Sequence, residues 1–191
     1  DTVIAHDAAG TTSAYQLGNG ADSVTLGDGA DTLTLGSGKD TVLAGNGNNA
    51  ITAADAAGTV DVVKTGNGNS KITLGQGNDQ VTVGNGSNVI TGGNGADTLA
   101  LGTGGNTVTL GNGANTVTAH DAAGTTSAYQ LGNGADSVTL GDGADTLTLG
   151  SGKDTVLAGN GNDVITSADA EGMVDVVKTG KANRTITLGQ G

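Results

Sequence analysis

The feature that most constrains this chain is a nine-residue repeat with two glycines at fixed places. LGNGADSVT begins at Leu17, LGDGADTLT at Leu26, LGSGKDTVL at Leu35 and AGNGNNAIT at Ala44. The frame slips by three residues at AADAAGTVDVVK, Ala53 to Lys64, then resumes for six nonamers from Thr65 to Thr118. Twelve-residue units of this kind begin at Ala5, Ala53, Ala119 and Ser167. Position 2 is Gly in all 16 nonamers and position 4 in 15, Ala182 being the exception. A longer period lies above the first: residues 5–77 and 119–191 are identical at 64 of 73 positions, an offset of 114 residues. Near-identity over such a length reads as recent tandem duplication, so residues 1–191 are expected to be one continuous repeat domain, a fragment of a longer array.

Within each nonamer position 8 is apolar (Val24, Leu33, Val42, Ile51), position 9 is mostly Thr, and position 1 of the next unit is usually Leu. That order has period two and specifies a strand of about four residues with Thr outward. The following G-x-G-x-[DN] cannot be helix, because two Gly in five residues cost about 2 kcal/mol against Ala; it suits a tight turn needing positive φ. One such strand is unstable alone, so the units must stack. The expected fold is all-β, a parallel β-roll or β-solenoid of two sheets with roughly 18 residues per coil and about ten coils, a rod about 48 Å long. Composition agrees: with no Phe, Trp, Pro or Cys and two Tyr, the core must be a thin one of Val, Leu and Ile. Tyr15 and Tyr129 fall at the inward position 8 and are expected to fill that core.

Seven Lys and Arg against 19 Asp and Glu give a net charge of −12, which repels phosphate backbones and anionic lipid. Neither nucleic acid nor membrane insertion is expected, and no apolar run approaches the roughly 18 residues a spanning helix needs. There is no initiator Met or basic-then-apolar leader, which again reads as a piece of something longer. The lack of Cys removes disulfide staples and thiol metal sites and fits an extracellular protein.

Of the 19 acids 18 are Asp, a turn former, and position 6 of the repeat carries most of them. Stacked coils would bring such carboxylates about 4.8 Å apart, where they repel by about 0.9 kcal/mol per pair in water and several-fold more in less polar surroundings. Alternate turns lie on opposite edges of a roll, and the two edges differ. One has Asp22, Asp40, Asp61, Asp79, Asp97, Asn115, Asp136, Asp154 and Asp175; the other has Ser13, Asp31, Asn49, Ser70, Asn88, Asn106, Ser127, Asp145, Asp163 and Arg184. The first reads as built for cations and the second largely for amide and hydroxyl hydrogen bonding. The candidate metal ligands are the eight Asp of the first edge together with Asp31, Asp145 and Asp163. With only carboxylates and turn carbonyls on offer the ion is hard, and calcium fits flexible oxygen coordination better than magnesium.

These units resemble the G-G-x-G-x-D-x-U-x nonapeptide of RTX proteins, a calcium-binding repeat, over essentially the whole chain. The resemblance implies a right-handed parallel β-roll, disordered where calcium is scarce, exported by type I secretion and folding outside the cell as calcium fills its turns. Two departures stand out. Position 1 is Leu rather than Gly in most units, and position 6 is Asn, Ser or Arg along much of one edge, so the metal role is carried over only where Asp stands. The unit at Thr179, TGKANRTIT, keeps neither Gly at position 4 nor Asp at position 6 and is not expected to hold calcium. Asp28 and Asp142 at position 3, and Asp7, Asp55, Asp121 and Asp169 in the long units, are expected to be solvated.

No catalytic constellation is present: His6 and His120 lie beside Asp7 and Asp121 without a nucleophile, and no G-x-x-x-x-G-K-[ST] occurs. The chain is therefore not read as an enzyme. T-x-T pairs such as Thr32 with Thr34 and Thr107 with Thr109 are similar to the ice-binding face of some β-solenoid antifreeze proteins. Interruptions at Leu43, Lys64, Ala100, Gln130, Leu157 and Lys178 are expected to break that array into patches. The expected role is a calcium-binding structural segment of a large secreted bacterial surface protein: a surface layer, adhesin stalk or matrix filament at the cell surface. Its expected partners are other copies or neighbouring repeats, met end to end or laterally. An ice-binding solenoid, or the secretion and folding module of an attached enzyme or toxin, are the alternatives.

Overall fold

The computed structural model describes residues 1–169 and 171–190. Each unit forms one short strand, usually of three residues: β1 (Thr2–Ile4), β2 (Ala14–Gln16), β3 (Ser23–Thr25), β4 (Thr32–Thr34), and so on to β19 (Val176–Thr179) and β20 (Thr185–Thr187). Odd-numbered strands stack into one ten-stranded sheet and even-numbered strands into another. All pairs are parallel. The register advances by 18 residues per coil, Ser23 against Thr41, or by 21 where a long unit intervenes, Thr41 against Val62. The chain is thus an all-β parallel β-solenoid of two sheets and about ten coils.

Side chains alternate as a pleat requires, so positions 6, 8 and 1 of the repeat all point inward. At position 8 the odd-strand sheet supplies mostly Val (Val24, Val42, Val63, Val81), and the even-strand sheet the larger Leu33, Ile51, Ile72 and Ile90, all buried. Pairing a slim row with a bulky one lets a narrow core close with few aromatic residues. Tyr129 lies within it, 2% exposed, as expected.

The glycines have a different cause from the one expected. Among the described residues, φ is positive only at Gly20 and Gly38 and at Gly10, Gly58, Gly124 and Gly172 of the long units. Elsewhere the requirement is space. A Cβ on Gly95 would lie 1.5 Å from the carbonyl oxygen of Gly77, and one on Gly47 1.7 Å from that of Gly29. Most turns rest their glycines on the carbonyls of the turn before, at distances that leave no room for a Cβ unless the backbone shifts, as it must at Ala182.

The outward Thr rows are also ordered differently. Thr34, Thr52, Thr73, Thr91 and Thr109 stand in register on the even-strand sheet without a break. Leu43 and Lys64 pair with each other on the opposite sheet. Sorting by alternate units, which only stacking reveals, puts Leu43, Lys64, Ala100, Leu157 and Lys178 on one face and leaves the other a Thr ladder broken at Gln130, suited to cross-strand hydroxyl contacts.

Candidate metal centre

Along the Asp-rich edge, position 6 forms a ladder. The backbone N–H of Asp22 donates to Oδ1 of Asp40 at 2.8 Å, that of Asp40 to Asp61 at 2.8 Å, Asp61 to Asp79 at 2.8 Å, and Asp79 to Asp97 at 3.0 Å. The ladder continues through Asn115, Asp136 and Asp154 to Asp175. One carboxylate oxygen of each Asp is therefore used to join coils. The other, Oδ2 of Asp22, Asp40, Asp61, Asp79, Asp97, Asp136, Asp154 and Asp175, is buried with no partner. Asp61, Asp79 and Asp154 are 0% exposed. An ionised oxygen so placed is costly unless neutralised. Burial, ahead of repulsion from neighbouring carboxylates, pushes Asp61 and Asp79 up to about 7 and Asp97, Asp136 and Asp154 up to about 6.

The opposite edge shows what this place accepts. Asn49, Asn88 and Asn106 keep the same ladder, receiving the N–H of Asp31, Ser70 and Asn88 on Oδ1. Their Nδ2 then donates to the carbonyl two residues back: Gly47 at 3.0 Å, Gly86 at 2.8 Å and Gly104 at 2.7 Å. Asn115, the one Asn of the Asp-rich edge, does likewise with Gly113 at 2.8 Å. Arg184 goes further. Its Nη1 donates to Gly180 at 3.0 Å and Ala182 at 2.8 Å, its Nη2 to Gly159 at 2.6 Å, and its Nε to Oδ2 of Asp163 at 3.2 Å. A cationic group therefore occupies one turn, gathering three carbonyls and the previous coil's carboxylate.

The duplicated halves make the same point. Asn49 and Ser70 of the first copy become Asp163 and Arg184 in the second, a neutral pair exchanged for an ion pair at one step of the ladder. Asp163 consequently has both oxygens paired, one to the N–H of Asp145 and one to Arg184. Asp31 and Asp145, which follow long units, have neither oxygen paired. Burial raises Asp31 above the usual carboxylate range and pushes Asp145 up to about 7.

The long units hold residues that sequence reasoning misplaced. Asp55 and Asp121 are 4% and 2% exposed rather than solvated, and Asp7 and Asp169 are half-buried. Ser127 Oγ and Tyr129 Oη donate to Asp121 at 2.7 and 2.6 Å, and Ser13 and Tyr15 treat Asp7 in the same way. The inserted residues thus fold a carboxylate back under the turn. The available signal was the recurrence of Ser and Tyr six and eight residues after that Asp in two long units, against Asp and Val in the other two. Asp28 and Asp142 do lie outside, bound to Asn46 and Asn160 in an exposed amide ladder. His120 is exposed, with Nδ1 3.0 Å from the Leu101 carbonyl oxygen.

A profile of the RTX calcium-binding nonapeptide repeat matches four stretches, residues 17–51, 55–90, 91–122 and 131–165. The chain belongs to that family. RTX repeats bind calcium and are typical of secreted bacterial proteins. The chain's oxygen-only donors, with a buried unpartnered carboxylate oxygen at turn after turn, fit such an ion. No curated protein and no solved structure matches the chain.

Proposed function

We propose that this RTX segment is a calcium-dependent structural element of a large secreted bacterial surface protein, without catalytic activity of its own. Calcium would be held by Asp22, Asp40, Asp61, Asp79, Asp97, Asp136, Asp154 and Asp175 on one edge and by Asp31 and Asp145 on the other, together with turn carbonyls. Asn49, Asn88, Asn106 and Arg184 bring their own donors and need no ion, and Asp163 already has its cation in Arg184. The observation that carries this reading is the contrast between position-6 Asp, left with an unpartnered buried oxygen, and position-6 Asn and Arg, whose N–H groups meet turn carbonyls.

When bound, calcium supplies the positive charge that lets the buried carboxylates ionise together. The chain's own residues do the rest: glycines bring carbonyls close to the turn, Oδ1 fixes each side chain to the next coil's backbone, and the apolar rows exclude water from the inner side. Since no such site exists in the unfolded chain, ion binding contributes directly to folding. In calcium the chain should give a β-sheet circular-dichroism spectrum that is lost in excess chelator and restored by added calcium. A spectrum unchanged by chelation would refute the switch.

The segment is also proposed to associate end to end with further repeats or copies. Val174, Ile186 and Leu188 at one end are 61%, 42% and 46% exposed, and open parallel strands there can accept another coil. Sedimentation velocity in calcium should show concentration-dependent oligomers, whereas a strictly monomeric chain would count against the idea.

A further inference from the structure

The four long units are of two chemical kinds, and the kinds alternate between edges. In the units at Ala5 and Ala119 the inward carboxylate is closed by hydroxyls: Asp7 by Ser13 and Tyr15, Asp121 by Ser127 and Tyr129. In the units at Ala53 and Ser167 the residues at those two places are Asp61 with Val63 and Asp175 with Val177. Val cannot donate a hydrogen bond, and Asp cannot while ionised.

The consequence is clearest at Asp55. Asp55, Asp61 and Asp79 are 4%, 0% and 0% exposed, and each brings a carboxylate oxygen within 4.8 Å of the other two. Oδ1 of Asp55 and Oδ2 of Asp61 and Asp79 have no partner, while the hydroxyl of Thr59 takes the remaining oxygen of Asp55. Gly75 and Gly77 leave the room for this. A Cβ on Gly75 would stand 2.0 Å from Asp55 Oδ1, and one on Gly77 1.8 Å from its Oδ2. The second unit of this kind also gathers three carboxylates, but Asp169 and Asp175 meet Asp154 of the preceding coil where Asp55 and Asp61 meet Asp79 of the following one, and Asp169 and Asp175 are half-buried.

We infer that the long units at Ala53 and Ser167 build a second class of calcium site, in which Asp55 and Asp169 add a third carboxylate to the position-6 pair, so that these two places bind calcium more tightly than any nonapeptide turn. The inference rests on the calcium reading above but concerns residues outside the nonapeptide pattern. Three carboxylates on a hard, flexible oxygen site raise affinity through ligand charge. They also make the ion's absence most costly here, because more unpaired charge is buried in one place. The hydroxyl-closed units at Ala5 and Ala119 are the metal-free counterpart of the same insertion.

The test is a calcium titration of the full chain by isothermal calorimetry with a competing chelator, with native mass spectrometry counting ions. The wild-type chain should show a tight class with one ion at each of the two Asp-type long units, above a weaker class. Asp55→Asn should move one ion out of the tight class, weakening it by about tenfold or more, and adding Asp169→Asn should move the other. Asp97→Asn, in an ordinary turn, should remove an ion of the weaker class and leave the tight class intact. A gain-of-site variant guards against a variant that fails to fold. Ser127→Asp combined with Tyr129→Leu replaces the hydroxyls around Asp121 beside the unpartnered Asp145, on a sheet that already carries Leu at that position, and should add one tight ion. If Asp97→Asn loses an ion but Asp55→Asn leaves the tight class unchanged and the Ser127→Asp/Tyr129→Leu chain gains none, the inference is wrong while the calcium reading stands. If the wild-type chain binds no calcium, both fall together.

Discussion

Position 6 comes down to one atom: the nitrogen of Asn or the second oxygen of Asp. Asn88 illustrates this. Its Oδ1 accepts the N–H of Ser70, and its Nδ2 donates to Gly86 at 2.8 Å. In Asn88→Asp the ladder bond can persist, but the oxygen replacing Nδ2 faces a carbonyl. At limiting calcium, where the parent is still folded, the variant should lose roughly 1–3 kcal/mol of stability, the cost of a buried group left unpaired. With excess calcium it should recover and bind one more ion than the parent, a result that denaturant melts and ion counting can check together. Arg184 is the same exchange carried out within the chain, with a guanidinium on Asp163 and three carbonyls. Asp at position 6 was legible from residue type and spacing. Which of its oxygens is spent on the backbone was not, because that depends on the neighbouring coil.

The element that matters is the edge, a column of turns whose charges act on one another. Along the Asp-rich edge the metal-free folded chain holds protons that the unfolded chain releases: Asp61 and Asp79 titrate near 7, and Asp97, Asp136 and Asp154 near 6. Raised carboxylate values mean that the folded state binds more protons than the unfolded state between about pH 4 and 7, so metal-free stability falls as pH rises through that window. In chelator, where the chain is unfolded at about pH 8, acidification to about pH 4.5 should therefore restore β-sheet circular-dichroism signal. With calcium present the trend should weaken or reverse, since protons and ions compete for the same oxygens. A metal-free chain that gains no β-sheet signal on this acidification would contradict the burial of the ladder. The alternation of edges was readable from the repeat frame, since an 18-residue coil sends successive turns to opposite sides. The inward folding of Asp55 and Asp121 was not, because a three-residue insertion leaves the direction of its side chains open until Ser127, Tyr129 or Asp79 meets them in space.

At the scale of the whole molecule, a thin aliphatic core and two parallel sheets are enough to define a rod, and the period of nine made that fold legible before any coordinates. The sequence also contained the glycines, yet their main work, resting one turn on the carbonyls of another as Gly95 does on Gly77, follows only from the stacking. What the rod lacks among its described residues is partners for the Oδ2 atoms on its Asp-rich side. We propose that calcium takes their place. The most direct test is anomalous scattering from a crystal grown in calcium. A row of peaks is expected beside Asp22, Asp40, Asp61, Asp79, Asp97, Asp136 and Asp154, with none beside Asn49, Asn88 or Asp163. A well-ordered roll with no peaks along that row would contradict it.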